Sequence, residues 1–358
     1  YTSTDVRTTT FAIAAEFPIF TGFRISNTVR QKQHLYNASI LDLQKTEDAL
    51  CIDIIRAFQD VLYKKEERII YYRQFLVDSI QTERIKILVQ KGKASKVELV
   101  SQISAQTRSK IKYIQANNSL KMSLLTLSQL MELPSPDSLY LSEYYIPIDK
   151  IHIDEPETVF ESAVTFKADV KAEKQRLYAY ERQIKISKSK LYPTLSFTGG
   201  IGAKYYVTSS LFNESFGKQL KNNLCKYVMF NLTIPLFNRF ETRNSIAKTK
   251  IERNNQYLIL EESKKSLYKA IQQAHYAALD AQSRYLVCNE SSASAKENLK
   301  LVLAKYENGL ADITDYNEAK NASSEADSKL IQAKFEFIFA VEILKFYKRN
   351  KKTIYNEQ

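Results

Sequence analysis

Two stretches of this sequence run for more than sixty residues without a glycine or a proline, from Arg24 to Gln90 and from Glu241 to Asn308. Glycine and proline weaken helices most, and both stretches are rich in Leu, Ala, Lys, Glu and Gln, which favour them. Apolar residues recur at helical spacing, as at Ile54, Phe58 and Val61. The pattern predicts two helices of about 67 residues, each roughly 100 Å long.

A single glycine follows each stretch, and a second helical pattern follows each glycine. The second patterns cover 95–131 and 312–348. A helix this long needs a partner of similar length along its apolar stripe, which favours coiled-coil-like packing. We therefore expect two long helical hairpins with Gly92 and Gly309 at their tips.

The sequence also repeats itself at an offset of 217 positions, since Pro18 matches Pro235 and 235 − 18 = 217. No gap is needed up to the match of Leu127 with Leu344. One inserted residue would turn the rest of a helix by about 100°. The ungapped match predicts an internal duplication of rigid, mostly helical units. The other matched pairs are Phe20 with Phe237, Phe23 with Phe240, Asn27 with Asn244, Ile54 with Ile271, Ala57 with Ala274, Leu62 with Leu279 and Gly92 with Gly309.

Three shorter segments alternate between apolar residues and small or polar ones, at 11–19, 194–205 and 228–236. This period of two is typical of strands with one apolar face. We expect that face to meet lipid, as in a transmembrane barrel. Prolines mark the predicted junctions between strands and helices at Pro18, Pro193 and Pro235. The aromatic residues near these junctions fit an interfacial girdle or ordinary core packing equally well.

The sequence contains no run of about 18 apolar residues, so it predicts no transmembrane helix. The second repeat carries a helix and a strand that have no counterpart before Tyr1. We therefore expect a further helix, a further strand and any targeting signal upstream.

Three segments resemble the signatures of the TolC-like outer-membrane efflux protein family, the channel-tunnels also called outer membrane factors. They read LYPTLSFTGGIG (191–202), FNLTIPLFNRFETRN (230–244) and KYENGLADITDYNEAK (305–320). Weaker versions occur at 11–27 and 91–102. The resemblance implies a mainly α fold with a transmembrane β-barrel portion. Long antiparallel helical hairpins would form an α-barrel, joined to a 12-stranded barrel shared by a homotrimer.

The resemblance and the duplication together predict the domain boundaries. The first repeat covers 1–131, an equatorial segment 132–156, the second repeat 157–350 and a C-terminal tail 351–358. The first repeat would contain a strand at 8–20 and a hairpin at 24–131. The second would contain a helix at 157–190, strands at 193–207 and 225–237, and a hairpin at 240–349.

The function implied by the resemblance is a passive exit duct of a tripartite efflux or type I secretion system. It would lie in the outer membrane of a Gram-negative bacterium, in contact with lipid, with its helices in the periplasm. Its partners would be a periplasmic adaptor (membrane fusion) protein and an inner-membrane pump, and its helical tips would open by an iris-like movement. The exported substrate, the pump, an upstream lipid anchor and the open or closed state are left undecided.

The resemblance also assigns roles to residues near the two tips. Asp315 and Glu318 would ring the periplasmic entrance and select cations, although a helix N-terminus also favours acidic residues. Tyr306 and Glu98 would form a gating link. The tips and adaptor contacts would be Gly92, Lys93, Gly309 and Leu310.

Two positions depart from the family pattern. Lys93 stands where apolar residues are usual, and Ala311 where some members have an arginine that forms a second link. We therefore expect the closed state to be held differently here.

The remaining chemistry disfavours other classes of function. The three histidines and three cysteines lack metal-ligand spacing, and no catalytic constellation is present, so we expect no enzyme, metal or cofactor. The net charge is +12, but basic and acidic residues are interleaved along the helices. That pattern indicates a solvated helical face rather than a nucleic-acid site. The main alternative is a soluble coiled-coil scaffold, which would have no use for the alternating strands.

Overall fold

The computed structural model describes residues 5–136, 139, 152–209 and 213–348. The predicted tail 351–358 and most of the predicted equatorial segment lie outside the described residues. The elements are β1 (Val6–Thr21), α1 (Arg24–Gln90), α2 (Lys96–Leu130), α3 (Pro156–Phe166), α4 (Ala168–Ser189), β2 (Thr194–Thr208), α5 (Phe216–Asn222), β3 (Cys225–Thr233), α6 (Glu241–Glu307) and α7 (Ile313–Lys348).

The two longest helices have the same length and a constant offset. Helices α1 and α6 each contain 67 residues, and their first residues lie 217 positions apart (241 − 24 = 217). Gly92 and Gly309 lie between the paired helices with φ of 70° and 74°. This left-handed conformation suits glycine, because any Cβ would be strained there.

The predicted helix over 157–190 is wrong as a single element. Helix α3 ends at Phe166 and α4 begins at Ala168, because Lys167 adopts an extended conformation with φ −59° and ψ 133°. Its ammonium group donates to the Phe346 carbonyl oxygen at 3.3 Å and lies 4.2 Å from the centre of the Phe346 ring. Lysine favours helices, so this contact with a distant part of the chain accounts for the break.

The three strands form one antiparallel sheet in the order β1-β2-β3. Its register places Phe17 opposite Phe197, and Phe197 opposite Phe230. Most large apolar residues of the three strands therefore share one face, whereas Met229 lies on the other. Most residues of the shared face are exposed, including Ile13 at 78% and Phe230 at 66%. Strand β3 ends at Thr233, earlier than predicted, because Pro235 has no N–H to extend the ladder.

Amide side chains cover the end of β2 that β3 leaves unpaired. The β2–β3 pairing stops at Gly202 and Cys225. Beyond these residues, side-chain amides take the place of a neighbouring strand and form hydrogen bonds of 2.7–3.0 Å with backbone groups of β2. Asn223 bonds to the backbone of Lys204, Gln219 to that of Tyr206 and Asn213 to that of Thr208. Phe216 of α5 also packs against the rings of Phe11 and Tyr205. Helix α5, which the sequence did not predict, is thereby fixed to the sheet.

The chain divides into two units, Tyr1–Leu41 with Lys171–Glu262 and Asp42–Val170 with Ser263–Gln358. The first contains the sheet and α5. In the second, the hairpins pack around apolar clusters that include Leu62 with Phe339, Val61 with Leu127, and Ala281 with Phe337. None of the helices in the described ranges carries an apolar segment long enough to cross a membrane.

Candidate functional site

The predicted gating and entrance residues lie at the ends of the hairpins in the second unit. Glu98 is in the first turn of α2, and Tyr306 is in the last turn of α6. Asp315 and Glu318 lie in the first two turns of α7. We therefore take this region as the candidate site.

Glu98 belongs to a capping box at the start of α2. Its carboxylate accepts a hydrogen bond from the Ser95 N–H at 3.1 Å, and the Ser95 hydroxyl accepts one from the Glu98 N–H at 3.1 Å. Such a pair satisfies two backbone donors that a helix start leaves free. The motif Ser-x-x-Glu could have been recognised in the sequence.

Helix α7 begins in the same way, with Asp312 and Asp315 in place of Ser95 and Glu98. The Asp312 carboxylate accepts from the Asp315 N–H at 2.8 Å, and the Asp315 carboxylate accepts from the Asp312 N–H at 3.2 Å. Asp315 thus has the helix-terminal role that the sequence offered as its alternative. Its role at an entrance stays a prediction.

Tyr306 is held by a stacked ring. Its ring stacks on Tyr316 with centroids 5.5 Å apart and an interplanar angle of 13°. Burial, followed by the charge of Glu98, raises the pKa of Tyr306. Glu98 is therefore close enough to act electrostatically on Tyr306. A direct link between the two stays a prediction.

Apolar side chains from both hairpins support Tyr306. Ile85 of α1 is 1% exposed, and it clusters with Ile313 and Tyr316 of α7. Leu99 of α2 and Leu303 of α6 pack against the same cluster. All four long helices of the second unit therefore meet behind the predicted gating tyrosine.

A groove of about 430 Å³ runs along the second hairpin. Asp315 and Glu318 line it together with Lys305 and with Ala311, the position where some members of the family carry arginine. Leu310, at its end, is 78% exposed. Two carboxylates at an open groove can attract cations.

The first tip combines positive charge with apolar surface. Lys93 and Lys96 are exposed, and Val97 is 78% exposed. Gly92 and Gly309 mark the two turns, and an added Cβ would meet nothing within 4 Å at either one. The exposed groups at these tips are therefore accessible, and a contact of Lys93 and Leu310 with an adaptor stays a prediction.

The predicted junction prolines lie at three different kinds of position in the first unit. Pro18 is inside β1, where the register shifts between Pro18 and Phe20. Pro193 directly precedes β2, and Pro235 follows β3 by two residues. A proline is tolerated at each because a strand end or bulge needs no ladder donor there.

Sequence reasoning missed a buried polar network behind the site, formed by Gln74, Asp78, Gln102, Asn317 and Lys320. These residues are between 0% and 8% exposed. Burial lowers the pKa of Lys320, an effect that its contact with Asp78 opposes. The sequence pattern could have indicated this network. Gln74, Asp78 and Thr82 follow one another at helical spacing on α1, on the same helix face as the apolar residue Ile85.

Within the described ranges, no group of three or more His, Cys, Asp or Glu side chains is placed to hold a metal ion. The site consists of helix caps, a stacked tyrosine pair and a groove lined by two carboxylates and one lysine. This arrangement suits a gate or a binding surface.

A family model for outer membrane efflux proteins matches residues 1–132 and 161–345. The chain belongs to this family. It is an outer-membrane efflux channel of the TolC-like type from a Gram-negative bacterium, so the sequence resemblance is confirmed. No curated protein matches the chain.

Solved structures of family channels share the fold. A membrane protein from Pseudomonas aeruginosa matches with a TM-score of 0.77 at 15% identity, over 96% of this chain and 84% of that one. The CmeC outer membrane channel of Campylobacter jejuni matches with 0.77 at 14%, over 99% and 81%. The open-state MtrE outer membrane channel of Neisseria gonorrhoeae matches with 0.73 at 16%, over 97% and 79%. The predicted mainly helical channel fold is thereby confirmed.

Proposed function

We propose that this chain is one protomer of a homotrimeric channel-tunnel that forms the passive exit duct of a tripartite efflux or type I secretion system. Its strands would join those of two other copies in a shared barrel in the outer membrane. Its hairpins would form an α-barrel in the periplasm. The energy for export would come from an inner-membrane pump, connected through a periplasmic adaptor.

The observation that carries this proposal is the exposed apolar face of the sheet. Ile13, Phe17 and Phe230 are 78%, 63% and 66% exposed, and the strand register places all three on one face. Water-exposed apolar surface of this extent is unfavourable in a soluble protein. Contact with lipid resolves it, since barrels expose alternate residues to the membrane.

The outer strands of the sheet support assembly with other chains. Among the described residues, β1 and β3 each pair with β2 alone. A strand inside a membrane needs hydrogen-bonding partners on both sides. Closure of these edges by other strands is what a shared barrel supplies.

The internal duplication belongs to the same proposal. It is supported by the offset of 217 positions between α1 and α6. The capping boxes of α2 and α7 repeat the same offset, since Ser95 corresponds to Asp312 (312 − 95 = 217) and Glu98 to Asp315 (315 − 98 = 217). Two similar hairpins per chain would give a trimer six tips at its periplasmic end. We propose that these tips open by an iris-like movement and that Lys93 and Leu310 contact the adaptor.

Electron microscopy of the full-length protein in mild detergent tests the proposal. We expect a threefold tube with a detergent belt at one end and a helical extension of about 100 Å. A monomeric or dimeric rod without a belt would favour the soluble scaffold instead. The scaffold alternative leaves the exposed sheet face without a purpose.

A further inference from the structure

A buried ion pair joins the two hairpins behind the gating tyrosine. Asp78 of α1 and Lys320 of α7 are 1% and 4% exposed, and their side chains are in direct contact. The Lys320 ammonium also donates to the Asn317 amide oxygen at 2.8 Å. Gln74 donates to the second carboxylate oxygen of Asp78 at 3.4 Å. The pair is thus enclosed and hydrogen-bonded on both sides.

Gln102 of α2 connects the same two helices. It is 0% exposed. Its amide nitrogen donates to the Asp78 carbonyl oxygen at 3.3 Å, and its amide oxygen accepts from Asn317 at 3.2 Å. No buried side-chain nitrogen or oxygen lacks a partner in the part of the chain that the structure describes. A fully satisfied network of this kind favours one arrangement of its helices.

The buried polar network continues directly to the gating tyrosine. The Lys320 ammonium lies 5.1 Å from the centre of the Tyr316 ring, within the range of a cation–π contact. Tyr316 in turn stacks on Tyr306 at 5.5 Å. An unbroken series of contacts therefore runs from Asp78 through Lys320 and Tyr316 to Tyr306.

We propose that Asp78 and Lys320 are positioning residues of the entrance, which hold Tyr316, and through it Tyr306, in the resting arrangement. This inference rests on the proposed channel function. Loss of the Lys320 charge removes the cation from Tyr316 and leaves Asp78 uncompensated beside it. Tyr306 then loses the fixed surface on which its ring stacks.

The chain provides both a reporter and a matched control for a test. These 358 residues contain no tryptophan, so Tyr306→Trp adds a fluorescent probe at the gating position, and its signal is read as the difference from the protein without this substitution. Lys167 is a second buried lysine, with its side chain 9% exposed, near Asp48 and against the Phe346 ring. Lys167→Met therefore removes a comparable buried cation that has no contact of this kind with Tyr306.

The experiment compares Lys320→Met with Lys167→Met in the full-length protein. In the Tyr306→Trp background, we expect Lys320→Met to shift the emission to longer wavelength and to increase quenching by acrylamide. In planar bilayers we expect Lys320→Met alone to raise resting conductance about fivefold, as the loss of a cation–π contact of ordinary strength would allow. Lys167→Met should change neither the emission nor the conductance.

The double variant Asp78→Leu with Lys320→Met keeps the test decisive if the single variant fails to fold. Apolar replacement of a buried pair often preserves stability. A folded double variant with shifted emission and raised conductance supports the proposal. Wild-type emission and conductance in that variant would overturn it, and so would an equal shift in Lys167→Met. If wild-type protein does not conduct but the emission still shifts, the channel function fails and the positioning role stands.

Discussion

At the residue scale, two carboxylates near the hairpin tips have an observed role as helix caps and a proposed role in gating or selectivity. Glu98 and Asp315 each accept a backbone hydrogen bond at a helix start, and each was assigned a role in gating or selectivity by family resemblance. A carboxylate at such a position also gains from the helix dipole. Asp315 is also exposed where it lines the groove of the second hairpin. Capping and selectivity can be separated by substitutions that keep the oxygen acceptor and remove the charge.

Replacing Asp315 by Asn and Glu318 by Gln should weaken cation preference without loss of stability. Asn can still accept the Asp312 N–H bond, so helix α7 keeps its cap. The reversal potential in a salt gradient across a planar bilayer measures the change, and a thermal unfolding midpoint checks the fold. Asp280→Asn, at an exposed site on α6, is the control. An unaltered reversal potential would remove both residues from the entrance.

Gly22 should be far less replaceable than Gly217. Gly22 has φ of 60°, and an added Cβ would lie 2.6 Å from the Ser189 carbonyl oxygen, whereas nothing lies within 4 Å at Gly217. We expect Gly22→Ala to reduce the free energy of unfolding by about 2 kcal/mol or more. Gly217→Ala should be neutral or slightly stabilising, because alanine favours helices. Equal unfolding midpoints for the two variants would contradict this account.

At the element scale, the long helices could be predicted from the sequence and the short irregular ones could not. The bounds of α1 and α6 follow from local rules, because neither helix contains a glycine or a proline and a glycine follows each helix. The break at Lys167 depends on Phe346, which lies 179 positions away. The buried polar network likewise depends on a pairing between residues 242 apart. Local propensity carries no information about either contact.

The amides that cover the end of β2 should protect its backbone from exchange. Gln219 is 4% exposed and both donates to and accepts from the Tyr206 backbone at 3.0 Å. Gln219→Ala should therefore speed amide hydrogen exchange at Tyr206 by about tenfold, which corresponds to the loss of roughly one net hydrogen bond. Asn222→Ala is the control, since that amide donates only to an exposed Glu214 carboxylate. Unchanged exchange at Tyr206 would show that other contacts hold α5.

At the scale of the whole molecule, family membership establishes the class of protein, and the exposed sheet face supports the proposed arrangement in the membrane. The two faces of the sheet differ in a way that the proposed barrel explains, with apolar residues outside and small or polar ones inside. Neighbouring residues on one strand therefore face different surroundings. This alternation provides a direct test of the membrane arrangement.

Phe230→Arg should prevent membrane assembly, whereas Asn231→Arg should be tolerated. Phe230 lies on the apolar face beside Phe197, with ring centroids 5.2 Å apart, and Asn231 points to the other face. Arginine facing lipid at mid-membrane costs about 2–4 kcal/mol. The measurement is the fraction of folded protein recovered from the outer membrane. A greater loss for Asn231→Arg would mean that the faces are reversed.

The two hairpin turns perform the same local task with opposite charge. The first carries Lys91, Lys93 and Lys96 beside Glu98, while the second carries Asp312, Asp315 and Glu318. A ring of three chains would then alternate basic and acidic positions around its rim. A docking ring of six identical subunits would face two inequivalent surfaces in turn, so the proposed trimer would distinguish threefold from sixfold partners by charge alone.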